Sequence, residues 1–119
     1  MGLGRRSSSL LDSLDNMNQI RYLFDVDKYL DQSTLSDQRK VVKNLLYLKE
    51  YGLRTEFRDA KKLRGYDFWE VRILGKSNIR IFCTQRSNIV YILHIFQKKS
   101  NKTSVRDLKL AEKQLLLID

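Results

Sequence analysis

The chain has 119 residues, of which 42% are apolar and 31% charged, so it is sized for one folded domain and is neither a disordered tail nor a membrane protein. A single cysteine and a single histidine exclude a disulfide framework, a multi-cysteine zinc cage and the usual two-histidine metal sites. No glycine-rich phosphate loop is present, so neither a metal nor a nucleotide cofactor is expected. The net charge is +9, and residues 57–106 carry all of it, with 12 basic against 3 acidic side chains.

Residues 1–16, MGLGRRSSSLLDSLDN, read as an N-terminal extension, either a flexible leader or a stretch upstream of the true start at Met17. They lack the apolar core of a secretory signal. With the longest apolar run, Ile89 to Phe96, interrupted by His94 and far below the ~20 residues of a membrane span, the expected location is the cytoplasm. The domain proper is residues 17–119. Gln19 to Phe24 is β-branched and aromatic and reads as a strand, followed by a brief helical segment from Val26 to Asp31. Thr34 with Asp37 three residues on is a capping-box variant. The helix it opens runs to about Tyr51, with Leu35, Val42, Leu45, Leu46 and Lys49 at helical spacing and Gly52 as the terminating residue. Leu53 to Leu63 is a basic connection with a short strand near Phe57. Phe68 to Leu74, Ile79 to Thr84 and Asn88 to Gln97 are three strands joined by turn residues. The last is the most apolar, which predicts an interior place in the sheet. Ser104 with Asp107 caps a final helix from Val105 to Leu117, with Leu108, Ala111, Leu115 and Ile118 along one side. The fold class is therefore α+β: a strand, two helices, a three-stranded antiparallel meander and a C-terminal helix, with the helices on one face of the sheet.

Side chains alternate across a strand, so faces can be assigned by parity. Trp69, Val71 and Ile73 share one face and Glu70 and Arg72 the other. Ile79, Ile81 and Cys83 oppose Arg80 and Phe82, and Ile92, His94, Phe96 and Lys98 share a parity. Matching the polar parities gathers Arg72, Arg80, His94 and Lys98 on one side of the sheet, with Lys99, Lys102 and Arg106 just beyond its end. Arginines grip a phosphate through bidentate bonds and stabilise the charge that builds on it during transfer. An imidazole or ammonium moves a proton at a 2′-hydroxyl or a leaving 5′-oxygen. Phe82, Phe96, Tyr66 and Phe68 are candidates to stack on an unpaired base. Without metal ligands, cleavage would run through the 2′-hydroxyl, which requires RNA. The candidate catalytic set is Arg72, Arg80, His94, Lys98 and Lys99; the candidate RNA-binding set is Lys61, Lys62, Arg64, Phe82, Lys102 and Arg106. Each has a plainer alternative. Arg72 and Arg80 could form a lattice with Glu70, His94 could be a satisfied core histidine, and the lysines could be a solvated strand end. Cys83 and Trp69 read as core.

Leu63-Arg64, Trp69-Glu70-Val71-Arg72, Arg80-Ile81-Phe82, His94-Ile95-Phe96-Gln97-Lys98-Lys99 and Lys102-Thr103, in that order and spacing, resemble the RelE/HigB superfamily of bacterial toxin–antitoxin toxins, in its phage-derived HigB-like branch. The resemblance covers about residues 17–119. It implies a ribosome-dependent mRNA endoribonuclease, with Arg72, Arg80 and Lys98 or Lys99 in the reaction. The implied partners are the ribosome, mRNA and a cognate antitoxin of the helix-turn-helix HigA-like kind, assembled as a toxin–antitoxin hetero-oligomer. Two features depart from the family pattern: Ser104 stands where a proline is usual, and Val105-Arg106-Asp107 offers no tyrosine near the final helix. A ParE-like inhibitor of DNA gyrase and a non-catalytic RNA-binding module are the competing readings, since one fold hosts different activities.

Overall fold

A computed structural model describes residues 18–53 and 59–118. The extension 1–16, Met17 and the strand expected near Phe57 lie outside the described residues. The elements run β1 (Gln19–Tyr22), α1 (Val26–Asp31), α2 (Leu35–Tyr51), β2 (Ala60–Lys62), β3 (Trp69–Ile73), β4 (Ile79–Arg86), β5 (Ile89–Gln97) and α3 (Val105–Leu115). Local chemistry sets the helix ends. The Asp25 carboxylate accepts from the Lys28 N–H at 3.0 Å, the Thr34 hydroxyl from the Asp37 N–H at 3.1 Å, and the Ser104 hydroxyl from the Asp107 N–H at 3.4 Å. Gly52 ends α2 at φ +74, and a Cβ there would meet Asn18 Nδ2 at 2.7 Å and Gln85 Oε1 at 2.9 Å, so both the backbone and the crowding call for glycine.

The strands form one sheet in the order β1-β5-β4-β3-β2. β1 lies parallel to β5, and the other pairings are antiparallel. β5 has neighbours on both sides, as its apolar sequence predicts.

Three expectations are corrected here. First, the helices cover both faces of the sheet. Val41, Leu45 and Leu48 of α2 pack with Val71, Ile73, Ile79, Ile81, Cys83, Val90 and Ile92 on one side. Ala111 and Leu115 of α3 pack with Phe68, Phe82, Leu93 and Phe96 on the other. A strand as apolar as β5 needs cover on both of its faces, and α3 supplies the second. Second, the buried stripe of α2 is Val41, Leu45 and Leu48, whereas Leu35, Val42 and Leu46 are exposed. The helix carries two apolar stripes about one residue apart, and the sheet accepts only one. Third, the parity of β5 breaks. Phe82 pairs with His94 but Cys83 with Ile92, so Leu93 is an extra bulged residue, and Ile92 faces α2 while His94 faces α3.

Candidate functional site

On the α3 side of the sheet, side chains fall into rows across the strands. One row is Lys61, Glu70, Phe82 and His94; the next is Arg72, Arg80 and Phe96, each in direct cross-strand register. Each row passes from charged at β2 and β3 to aromatic or imidazole at β5. α3 covers the aromatic end, and the charged end stays open as a cavity of about 160 Å³ lined by Asp59, Ala60, Lys61, Glu70, Arg72, Arg80 and Lys98.

Within that cavity Arg72 is exposed, and its guanidinium lies 3.9 Å from the Asp59 carboxylate, while its backbone N–H donates to the Asp59 carbonyl at 2.8 Å. Arg80 is buried. Its Nη1 donates to the Ile79 carbonyl at 3.2 Å, and its Nε has no hydrogen-bond partner. Lys98 follows the end of β5 and is held by Asn78 of the β3–β4 turn. The Asn78 carbonyl accepts from the Lys98 N–H at 2.9 Å, and the Asn78 amide donates to the Lys98 carbonyl at 3.1 Å. Asn78 adopts φ 55, a left-handed conformation that asparagine tolerates better than most residues. Two arginines and two lysines around one small cavity, against Glu70 and Asp59, leave a surplus of positive charge suited to a phosphate.

A second basic hollow of about 320 Å³ lies beyond the end of β5. Phe96, Gln97, Lys98, Lys99, Ser100, Lys102, Ser104, Arg106 and Asp107 line it. Lys98 borders both cavities, so the sequence-predicted cations Lys98, Lys99, Lys102 and Arg106 form one continuous strip with Arg72 and Arg80. Lys62 instead faces Asp67 at 3.9 Å, and Arg64 projects from the exposed β2–β3 turn; neither lines a cavity with the arginines.

Two further predicted site residues are placed elsewhere. Phe82 is fully buried between Phe68 and Phe96, at ring separations of 5.1 and 4.9 Å, beneath α3, so it presents no face to a base. Phe68 is equally buried and Phe96 nearly so, which leaves Tyr66 as the partly exposed ring of that group. His94 shares the arginine face but does not reach the cavity. Its Nε2 lies 2.7 Å from Asp107 Oδ1, its ring stacks on Phe96 at 5.5 Å, and the edge of Phe24 meets it at 5.1 Å. It ties β5 to the first turn of α3. Cys83 is fully buried, and burial pushes its thiol far above the ordinary range.

A family model described as phage derived protein Gp49-like (DUF891) matches residues 28–116, most of the chain. The chain belongs to the Gp49-like family. Among solved structures, this Gp49-like domain is similar to the E. coli toxin RelE in the free state, as an arginine double mutant, with a TM-score of 0.61 at 15% identity; the match covers 83% of this chain and 98% of that one. The intact E. coli RelBE toxin–antitoxin complex matches with a TM-score of 0.55 at 17% identity, over 70% of this chain and 99% of that one. At such identities the likeness is one of fold, and the Gp49-like domain has the RelE fold. The fold that the sequence resemblance implies is therefore the one observed. Comparison with curated proteins gives no match.

Three residues of the Gp49-like site escaped the sequence reading as site residues. Asp59 and Asn78 reach it through long-range pairing, with Arg72 across the β2–β3 edge and with Lys98 twenty residues away. Glu70 was visible by parity as a neighbour of Arg72. Its burial and its place in the cavity wall were not, because they depend on β2 and β4 closing around it.

Proposed function

We propose that this chain is the toxin of a toxin–antitoxin pair and acts as an endoribonuclease on mRNA at the ribosome, by metal-independent attack of a 2′-hydroxyl. One observation carries the reading: Arg72 and Arg80, in direct cross-strand register, share a small cavity with Lys98 on a domain of net charge +9. Two guanidiniums there can hold the non-bridging oxygens of a phosphodiester and stabilise the charge of a pentacoordinate transition state. The Lys98 ammonium can protonate a leaving 5′-oxygen. The strip through Lys99, Lys102 and Arg106 suits the flanking backbone of the same strand. Membership of the Gp49-like family and the RelE fold support the toxin role. The RelBE complex supports an antitoxin as partner. Its helix-turn-helix HigA-like kind is proposed from the sequence resemblance alone, and an acidic or partly disordered antitoxin segment would complement the basic strip. No helix among the described residues is long and apolar enough to cross a membrane, and the proposed site of action is the cytoplasm.

The test is transcriptome-wide mapping of new RNA 5′ ends after induction of the full chain in a bacterial host. New ends confined to translated reading frames are the expected result. Growth arrest with DNA damage and no new ends would replace this reading with a gyrase inhibitor of the ParE kind. Salt-dependent RNA binding without cut products would replace it with a binding module.

A further inference from the structure

The cavity contains a carboxylate to which the proposed function gives no role. Glu70 is 5% exposed, and its Oε1 faces the Lys61 ammonium at 3.9 Å, too far for a strong charge-assisted bond. Its Oε2 is closed to solvent and has no hydrogen-bond partner. Arg80, whose Nε is likewise buried and unpartnered, lines the same cavity. The two side chains are diagonal neighbours on adjacent strands, within reach of one another, yet they form no ion pair.

Such an arrangement is unfavourable as pure architecture. A buried carboxylate oxygen and a buried guanidinium N–H, each without a partner, both carry a desolvation penalty, and pairing them would relieve it. Both side chains line one small cavity in which Glu70 Oε1 meets only the exposed Lys61 ammonium, so a ligand that displaces Lys61 finds a carboxylate beside a guanidinium. It must donate a hydrogen bond to a carboxylate and accept one from a guanidinium at adjacent positions. A ribose 2′-hydroxyl beside its 3′-phosphodiester does both: the hydroxyl donates and a phosphoryl oxygen accepts. DNA lacks the donor.

We propose that Glu70 is the general base of this site and the residue that selects RNA over DNA; this rests on the endoribonuclease reading above. The Glu70 carboxylate takes the proton of the 2′-hydroxyl as its oxygen attacks the adjacent phosphorus. The O2′–P bond forms and the P–O5′ bond breaks, while Arg72 and Arg80 hold the non-bridging oxygens. The departing 5′-oxygen takes a proton from the Lys98 ammonium. The products are a 2′,3′-cyclic phosphate and a 5′-hydroxyl, with one proton gained by Glu70 and one lost by Lys98. Entry of the nucleotide displaces the Lys61 ammonium, whose side chain is 72% exposed and held only at 3.9 Å from the carboxylate.

The test compares full-length native chain, Glu70→Gln and Glu70→Asp on bacterial ribosomes programmed with a defined mRNA, in single turnover across pH. Thermal melting and ribosome-complex retention are measured alongside. Glu70→Gln is expected to cut about 10²–10⁴-fold more slowly and to lose the rise of rate with pH on the acid limb. Its melting and retention should stay near native. Glu70→Gln cutting within threefold of native, with the acid limb intact, overturns the proposal. If Glu70→Gln melts below the assay temperature, Glu70→Asp decides, because it keeps the carboxylate but withdraws it by one methylene. A tenfold or larger fall in rate with the acid limb retained supports the role, and an unchanged rate overturns it. A native chain that cuts no mRNA at all overturns the endoribonuclease reading itself, a result distinct from a native chain that cuts and a Glu70→Gln variant that cuts equally well.

Discussion

Replacing Arg80 by methionine should move stability and activity in opposite directions. Arg80 is 7% exposed, its one hydrogen bond runs to the Ile79 carbonyl at 3.2 Å, and it forms no ion pair among the described residues. Burying a charged group costs several kcal/mol after relaxation, and one charge-assisted hydrogen bond returns only about 1.5–3 kcal/mol. Methionine keeps an unbranched stem of similar reach beside Phe96, the cross-strand partner of Arg80, and removes the buried charge and the orphaned Nε. Apolar replacement of buried ionic groups is often neutral or stabilising by about 1–4 kcal/mol. Here the gain is expected at the low end, about 0–2 kcal/mol, because Glu70 in the same cavity loses a neighbouring cation. For a domain of this size about 1 kcal/mol corresponds to roughly 3–6 °C in Tm, so Arg80→Met should melt at or above the native temperature. Loss of a donor aimed at developing phosphoryl charge should slow mRNA cutting by about 10²–10³-fold. Calorimetry and a ribosome-programmed cutting assay read the two effects. A Tm lowered by 5 °C or more would show that the guanidinium serves the fold, and native cutting rates would remove Arg80 from the site.

Leu45→Ala should cost about 2–5 kcal/mol in urea titration, whereas its neighbour Leu46→Ala should stay within about 0.5 kcal/mol, because Leu45 is 5% exposed and Leu46 60%. Asp107→Ala leaves the buried His94 imidazole without its 2.7 Å partner and should cost about 1–3 kcal/mol of stability in the same urea titration. The Cys83 thiol should resist alkylation in the native state and react on unfolding, read by iodoacetamide labelling across a denaturant series. Its acidity has a matching effect on stability. The folded thiol stays protonated where the unfolded one, near its ordinary value of 9.0, ionises, so this contribution is complete below pH 9 and is lost as pH rises further. The stability difference between the native chain and Cys83→Ala should therefore be independent of pH below 9 and shift against the native chain as pH rises above it, and a constant difference across pH 9 would refute the effect.

What the sequence determined by itself is what acts over a few residues. Thr34 and Ser104 cap their helices as read, because a hydroxyl at the N-cap needs only the N–H three positions on. The carboxylate half of each capping box is diverted to tertiary partners, Asp37 to the Ser77 hydroxyl and Asp107 to His94. Gly52 ends α2, and strict alternation put Arg72 and Arg80 on one face, because β3 and β4 pair without irregularity around them. The confinement of the positive charge to residues 57–106 is likewise a property of composition. Tertiary structure decided the rest. Which of two apolar stripes on α2 turns inward depends on the sheet it meets, and so Val41 and Leu48 are buried while Leu35 and Val42 are not. The bulge at Leu93 arises from the pairing of β4 with β5 and reverses the parity that local alternation implies, separating Ile92 from His94. The burial of Phe82 and the pairing of His94 with Asp107 follow from α3 closing over a second face of the sheet. Glu70 and Arg80 became joint walls of one cavity only when β2, β3 and β4 assembled, since hydrophobic cover and strand register are set by contacts between residues far apart in the chain.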